Sequence, residues 1–254
     1  MISLDDVSKQ FAPGMLALDS VSLKVDAGEF VSIVGPSGCG KSTVLRLLAG
    51  LDRPTGGTVN SPALALNANG TDTSVVFQDA TLMPWASVFD NVWLPLRLQG
   101  ISRKQASEAV RQVLAAVGLS DSAASLPSQL SGGMKMRASI ARALITEPKV
   151  LLMDEPFAAL DEITRQRLNA ELLDWWYQRR MTTLFVTHNV YEAVFLSQRI
   201  IVMSARPGRV VASFTISEDY PRTQGFRSSL MYSKYCSDLH DALESAHARQ
   251  TASR

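Results

Sequence analysis

The sequence predicts an α/β fold in which short buried strands end in polar residues and a helical lobe interrupts the sheet. Three observations carry that prediction. Phe30-Val-Ser-Ile-Val34 is a short apolar run of the kind that forms a buried strand, and Val44-Leu-Arg-Leu-Leu48 has the spacing of a following helix. Between them, Gly35-Pro-Ser-Gly-Cys-Gly-Lys-Ser-Thr43 fits G-x-x-x-x-G-K-[ST], a phosphate-binding loop. Two later apolar runs, Val150–Asp154 and Arg180–Val186, also end in groups capable of chemistry. The carboxyl ends of such strands are where open α/β sheets bind ligands.

The loop can be justified residue by residue. Gly35, Gly38 and Gly40 let the backbone wrap an anion with its amides turned inward, with Pro36, Ser37 and Cys39 between them. The helix that opens near Thr43 adds the positive end of its dipole. Lys41 reaches for the β and γ phosphates and Ser42 offers a hydroxyl to Mg²⁺, roles that a plain strand–helix turn leaves unexplained.

Composition bounds the rest. With 254 residues the chain can bury a full core, and 46% hydrophobic against 19% charged content suits a globular protein. No run reaches membrane-span length, and Met1-Ile-Ser-Leu-Asp-Asp does not read as a secretory leader. Only Cys39 and Cys236 are present, so a reducing cytoplasm is expected rather than a disulfide framework. A net charge of +1 without a basic tract argues against nucleic acid as the main partner.

In chain order, residues 4–33 read as strands and turns, with Val21–Val25 alternating and Asp26-Ala-Gly28 turning. Phe11 reads by position alone as a core or edge aromatic. Residues 58–70, low in charge and rich in Ala, Asn and Gly, suggest short strands and a loop. Thr73–Phe77 is strand-like, and Gln78 at its end suits either a metal or water contact or a satisfied turn. From Pro84 to about 140 the pattern is helical. Ser102 and Gln105 form a capping box before Ala106, Val110, Val113, Leu114 and Val117, and Gly118 ends the helix. Met83-Pro-Trp85 and Trp93 supply either a buried cluster or a partner patch.

Leu130-Ser-Gly-Gly-Met134 opens a further helix with Ser131 as N-cap. Gly132 and Gly133 leave its first amides uncovered, a second anion-facing surface. Asp154 and Glu155 follow a strand, where a buried carboxylate needs a cation. Asp154 is therefore a Mg²⁺ ligand candidate and Glu155 a general base for water. Thr187-His-Asn189 ends the Arg180–Val186 run, so His188 joins Gln78, Asp154 and Glu155 at one sheet edge, within reach of a γ phosphate. The tail from Arg222 is polar, with one short amphipathic helix through Leu239, Ala242, Leu243 and Ala246.

These motifs together resemble the ATP-binding subunits of ABC transporters, from about residue 3 to 222. GPSGCGKST at 35–43, FQ at 77–78, LSGG from Leu130, LLMDEP at 151–156, ALD at 159–161 and TH at 187–188 have the family's order. GEFVSIVGPSGCGKST, MPW, DEPFAALDEITR and RPGR point to importers of nitrate, sulfonates, taurine and related molecules. The resemblance implies a P-loop NTPase: a RecA-like core with an antiparallel β region plus an inserted α-helical subdomain. The ATP-binding domain spans 1–222, the inserted subdomain about 84–140, and the helical tail 223–254.

It further implies ATP and Mg²⁺, and two copies facing head to tail, each ATP lying between the loop of one and Ser131–Gly133 of the other. Phe11 then stacks on adenine, Gln78 senses Mg²⁺ and water, and Asp161 crosses the interface. Other partners are an integral membrane permease and an external substrate-binding protein, placing this chain peripherally at the cytoplasmic face of a bacterial membrane. Met134, Lys135-Met136-Arg137 and Asn189 depart from the family pattern without removing a phosphate, metal or base group, and residues 58–72 fit it poorly. A single motif set argues against an ABC ATPase acting on ribosomes or DNA. Leu130–Gly133 argues against a small-molecule kinase, and Glu155 with His188 against a non-hydrolysing regulator.

Overall fold

The computed structural model describes residues 1–64 and 72–251. Its strands are β1 (Ile2–Phe11), β2 (Met15–Val25), β3 (Phe30–Val34), β4 (Gly56–Asn60), β5 (Thr73–Val76), β6 (Val150–Asp154), β7 (Thr182–Val186), β8 (Arg199–Met203) and β9 (Val210–Thr215). Its helices are α1 (Lys41–Leu48), α2 (Val88–Leu98), α3 (Arg103–Ala116), α4 (Gly132–Leu144), α5 (Glu162–Arg179), α6 (Val190–Leu196), α7 (Gln224–Arg227) and α8 (Leu230–Thr251).

Two sheets result. One is antiparallel, ordered β2-β1-β4. The other runs β5-β6-β7-β3-β8-β9 and is parallel except for β9. That order sets the carboxyl ends of β5, β6, β7 and β3 side by side. The core explains why β3 reads as continuously apolar. Val31 and Ile33 pack with β1, β2 and α1, while Phe30 and Val34 face the apolar cluster of α5, α6 and the helical lobe. Each such buried side chain contributes about 1.5–3 kcal/mol. Phe30 meets the Trp176 ring edge-on at 5.8 Å, fixing α5 under the sheet.

The capping box forms: Ser102 Oγ accepts from Gln105 N, and Gln105 Oε1 accepts from Ser102 N at 3.0 Å. The two tryptophans of the lobe behave differently. Trp93 is partly buried and donates to Ile101 O at 3.0 Å, whereas Trp85 is 77% exposed. Buried Asn91 holds the segment before α2, accepting from Met83 N at 2.7 Å and donating to the Met83, Ala86 and Ser87 carbonyls.

Some boundaries differ from the sequence expectation. Helix α4 spans Gly132–Leu144 and so runs across position 140. Strand β7 starts at Thr182 because Arg180 adopts a left-handed φ of 51° as the cap of α5. The tail helix is not short: α8 spans 22 residues, and Tyr232, Cys236, Leu239 and Ala246 are buried. Of the region expected to diverge, β4 and a turn at Pro62–Leu64 are described, and residues 65–71 lie outside the described residues.

Candidate functional site

The loop from Gly35 closes onto α1 through Gly40, whose φ of 96° a side chain rarely adopts. A Cβ there would also lie 2.5 Å from Leu18 Cδ2, so the loop is pressed against β2. The result is one wall of a cavity of about 450 Å³. Ser37, Gly38, Gly40, Lys41, Ser42 and Thr43 face it, together with Phe11, Gln78 and Glu155. Cys39 lies behind the loop, fully buried, and burial raises its thiol pKa, which marks it as structural.

Inside the cavity the charges are coupled. Lys41 Nζ is buried, donates to Gly35 O at 2.9 Å and Pro36 O at 3.1 Å, and stands 3.8 Å from Glu155 Oε1. Ser42 Oγ donates to Asp154 Oδ1 at 3.0 Å. Burial pushes the Asp154 carboxyl above its ordinary value; the Ser42 bond opposes this and the neighbouring Glu155 adds to it. Glu155 follows β6 with φ 44°, left-handed geometry that is strained for a non-glycine residue. Its N–H is nevertheless fixed, donating to Val186 O at 2.9 Å. Its carboxylate accepts from His188 Nδ1 at 2.8 Å, a contact that selects the Nδ1–H tautomer when the imidazole is neutral.

The family model for ABC transporters matches residues 18–158, more than half of the chain. The chain belongs to the ABC transporter family. It is an ATP-binding, ATP-hydrolysing subunit with the α/β architecture of that family. It is 40% identical to the nitrate import ATP-binding protein of Synechocystis sp., covering 98% of this chain and 97% of that one. It is 43% identical to the taurine import ATP-binding protein of Rhizobium johnstonii, covering 85% and 84%. A dimeric bacterial ABC transporter cassette superposes with TM-score 0.76 at 33% identity, over 86% of this chain and all of that chain. A post-hydrolysis dimer of an ATP-binding cassette with ADP and Pi matches equally well.

In this ABC subunit the other motif residues lie outside the cavity. Ser131 caps α4, its Oγ accepting from Met134 N at 3.3 Å. A Cβ on Gly132 would meet no atom within 4 Å, so the helix start is bare. Asp161 caps α5, accepting from Thr164 N at 3.0 Å, and that bond lowers its pKa. His188 reaches the cavity wall only through Glu155, and on its other side lines a cleft of about 610 Å³ against α8.

Two of the departures from the family pattern, Asn189 and Met134, have local roles. Asn189 serves as the α6 cap, accepting from both Tyr191 N and Glu192 N. Met134 packs against the apolar core. Met15, Leu16, Ala17 and Arg206 also line the cavity and were not expected from the sequence. Only the Arg206-Pro-Gly-Arg209 run carried a hint, as a family-like turn.

Proposed function

We propose that the chain drives an importer as a head-to-tail pair, each ATP held between Gly35–Thr43 of one copy and Ser131–Gly133 of the other. One observation carries this reading. Each copy has two anion-facing surfaces, and only the loop lines its own nucleotide cavity. Dimeric relatives support the pairing, and the relatives named for nitrate and taurine import support a small anion or sulfonate as cargo.

Phe11 stacks on the adenine, the loop amides with Lys41 and Ser42 hold the phosphates, and Gln78 orients the attacking water. Glu155 takes the proton as that water attacks the γ phosphorus and the bond to the ADP oxygen breaks. His188 positions Glu155 and the γ phosphate, and Asp161 meets the facing copy. Ser42, Asp154 and Gln78 present hard oxygen donors that suit Mg²⁺, an ion usually held by one or two carboxylates plus phosphates. Bound there, Mg²⁺ neutralises charge on the terminal phosphates. The permease docks at the lobe around exposed Trp85, holding the chain at the cytoplasmic face; no described helix is long and apolar enough to cross a membrane.

Glu155→Gln tests the assignment. ATPase activity should fall by about 10²–10⁴-fold, and the variant should become a stable dimer when ATP is added, read by light scattering. Parental turnover, or a monomer in saturating ATP, would sink the reading.

A further inference from the structure

The Arg206-Pro-Gly-Arg209 turn joins β8 to β9 and packs directly on the phosphate loop. A Cβ on Gly208 would lie 2.0 Å from Cys39 O and 3.1 Å from Ala17 O, so no larger residue fits there. Gly208 N donates to Ala17 O at 2.9 Å, and Asp19 N donates to Gly208 O at 3.1 Å. Ser204 Oγ braces the turn, donating to Pro207 O and accepting from Arg209 N. The turn is thus clamped between β2 and the loop, which fixes where its arginines start.

The two arginines then diverge. Arg209 pairs with Asp19, its Nε donating at 2.9 Å. Arg206 makes no hydrogen bond or ion pair among the described residues, yet it lines the nucleotide cavity. A Cβ on Gly38 would stand 3.1 Å from Arg206 Nη2, so the guanidinium lies against the phosphate loop itself. The cavity otherwise offers one lysine, Lys41, which already stands beside Glu155. A triphosphate brings several negative charges to that spot. A planar guanidinium presents a rigid fork of donors that matches two phosphate oxygens side by side, whereas an ammonium acts as a compact point charge.

We propose that Arg206 is a second cationic ligand of the nucleotide, bonding its β and γ phosphates from beside Gly38 of the loop. This rests on the assignment of Gly35–Thr43 as the phosphate loop. It gives the turn a function: Gly208 permits the approach, and Arg206 makes the contact.

The test titrates ATP, ADP and AMP into the full-length parent, Arg206→Ala, Arg206→Lys and Lys41→Ala proteins. Arg206→Ala should weaken ATP and ADP about tenfold, as expected for a lost hydrogen bond to a charged group. AMP, which lacks those phosphates, should change less than about twofold, and Arg206→Lys should recover part of the loss. The dependence of ATP affinity on salt should become shallower in Arg206→Ala. Nucleotide-free melting should match the parent.

Parental ATP and ADP affinity in Arg206→Ala, with binding lost in Lys41→Ala, would overturn the role of Arg206 and leave the loop assignment standing. Parental affinity in both would overturn the loop assignment itself. Equal weakening of ATP and AMP, or a lowered melting temperature with no rescue by lysine, would make Arg206 a structural residue. Weaker ATP-dependent pairing at unchanged ADP and ATP affinity would place its partner on the facing copy and also overturn the proposal.

Discussion

The loop at Gly35–Thr43 and the helix start at Ser131–Gly133 offer backbone amides to an anion in opposite settings. The loop is walled in. Leu18 and Ala17 press on Gly40, Cys39 is buried behind it, and Lys41, Asp154, Glu155 and Arg206 crowd its mouth. The start of α4 has Ser131 as its cap and open space at Gly132. A site complete within one copy would have no use for the second surface. The difference fits the proposed division of labour, in which the loop carries the binding chemistry and the open start at Ser131–Gly133 is covered by a second copy.

The strongest way to break that comparison is to disable each surface separately. Lys41→Ala should abolish tight ATP binding and lower ATPase activity by about 100-fold or more, since Lys41 is the loop's buried cation. Gly132→Asp should do something different. The new side chain has room, and an acid in the first turn favours the helix dipole by about 0.3–1 kcal/mol, so the fold should be as stable or slightly more so. ATP binding to single copies should persist. ATPase activity and ATP-dependent pairing should nevertheless collapse by about 100-fold, because a carboxylate then faces the incoming phosphates. An equimolar mixture should regain ATP-dependent pairing, since one intact loop can meet one intact helix start. If Gly132→Asp keeps full turnover, the bare helix start has no phosphate to meet.

How much of this was legible in the sequence depended on the range of the interactions. The phosphate loop, β3, β6 and the Ser102 capping box follow from residues within a few positions of each other, and each forms where the pattern placed it. Helix α8 extends beyond the stripe of Leu239, Ala242, Leu243 and Ala246 because Tyr232 and Cys236 continue its buried face, with the Tyr232 hydroxyl donating to Tyr191 O of α6, a contact between distant segments. Arg222 looked like the start of a polar tail, yet it is buried and donates to the carbonyls of Val194, Phe195 and Ser197 at the end of α6. Met15–Ala17 and Arg206 reach the cavity only because β2, the loop and the β8–β9 turn meet in space. No local spacing encodes that meeting.

A smaller effect sharpens the comparison from the side of stability. Only the walled surface stores an electrostatic cost, through Asp154. Burial raises the Asp154 pKa above its ordinary 3.8. Between that value and the folded-state value, the native protein still holds a proton that the unfolded chain has released. Stability therefore falls as pH rises through that window, and above it the native state carries a constant penalty. Asp154→Asn removes the penalty, and its amide oxygen can still accept from Ser42. At pH 7–8 the nucleotide-free variant should be more stable than the parent, by less than about 1 kcal/mol because partial exposure screens the charge. Below about pH 3, well under the ordinary carboxyl value of 3.8, the two should converge, since Asp154 is then protonated in both the folded and the unfolded chain. Mg²⁺-dependent ATPase activity should fall in the same variant, so the residue that weakens the empty fold would be the one that turnover requires. A variant less stable than the parent at every pH would mean that Asp154 holds the loop in place, and the strained side of the comparison would lose its functional meaning.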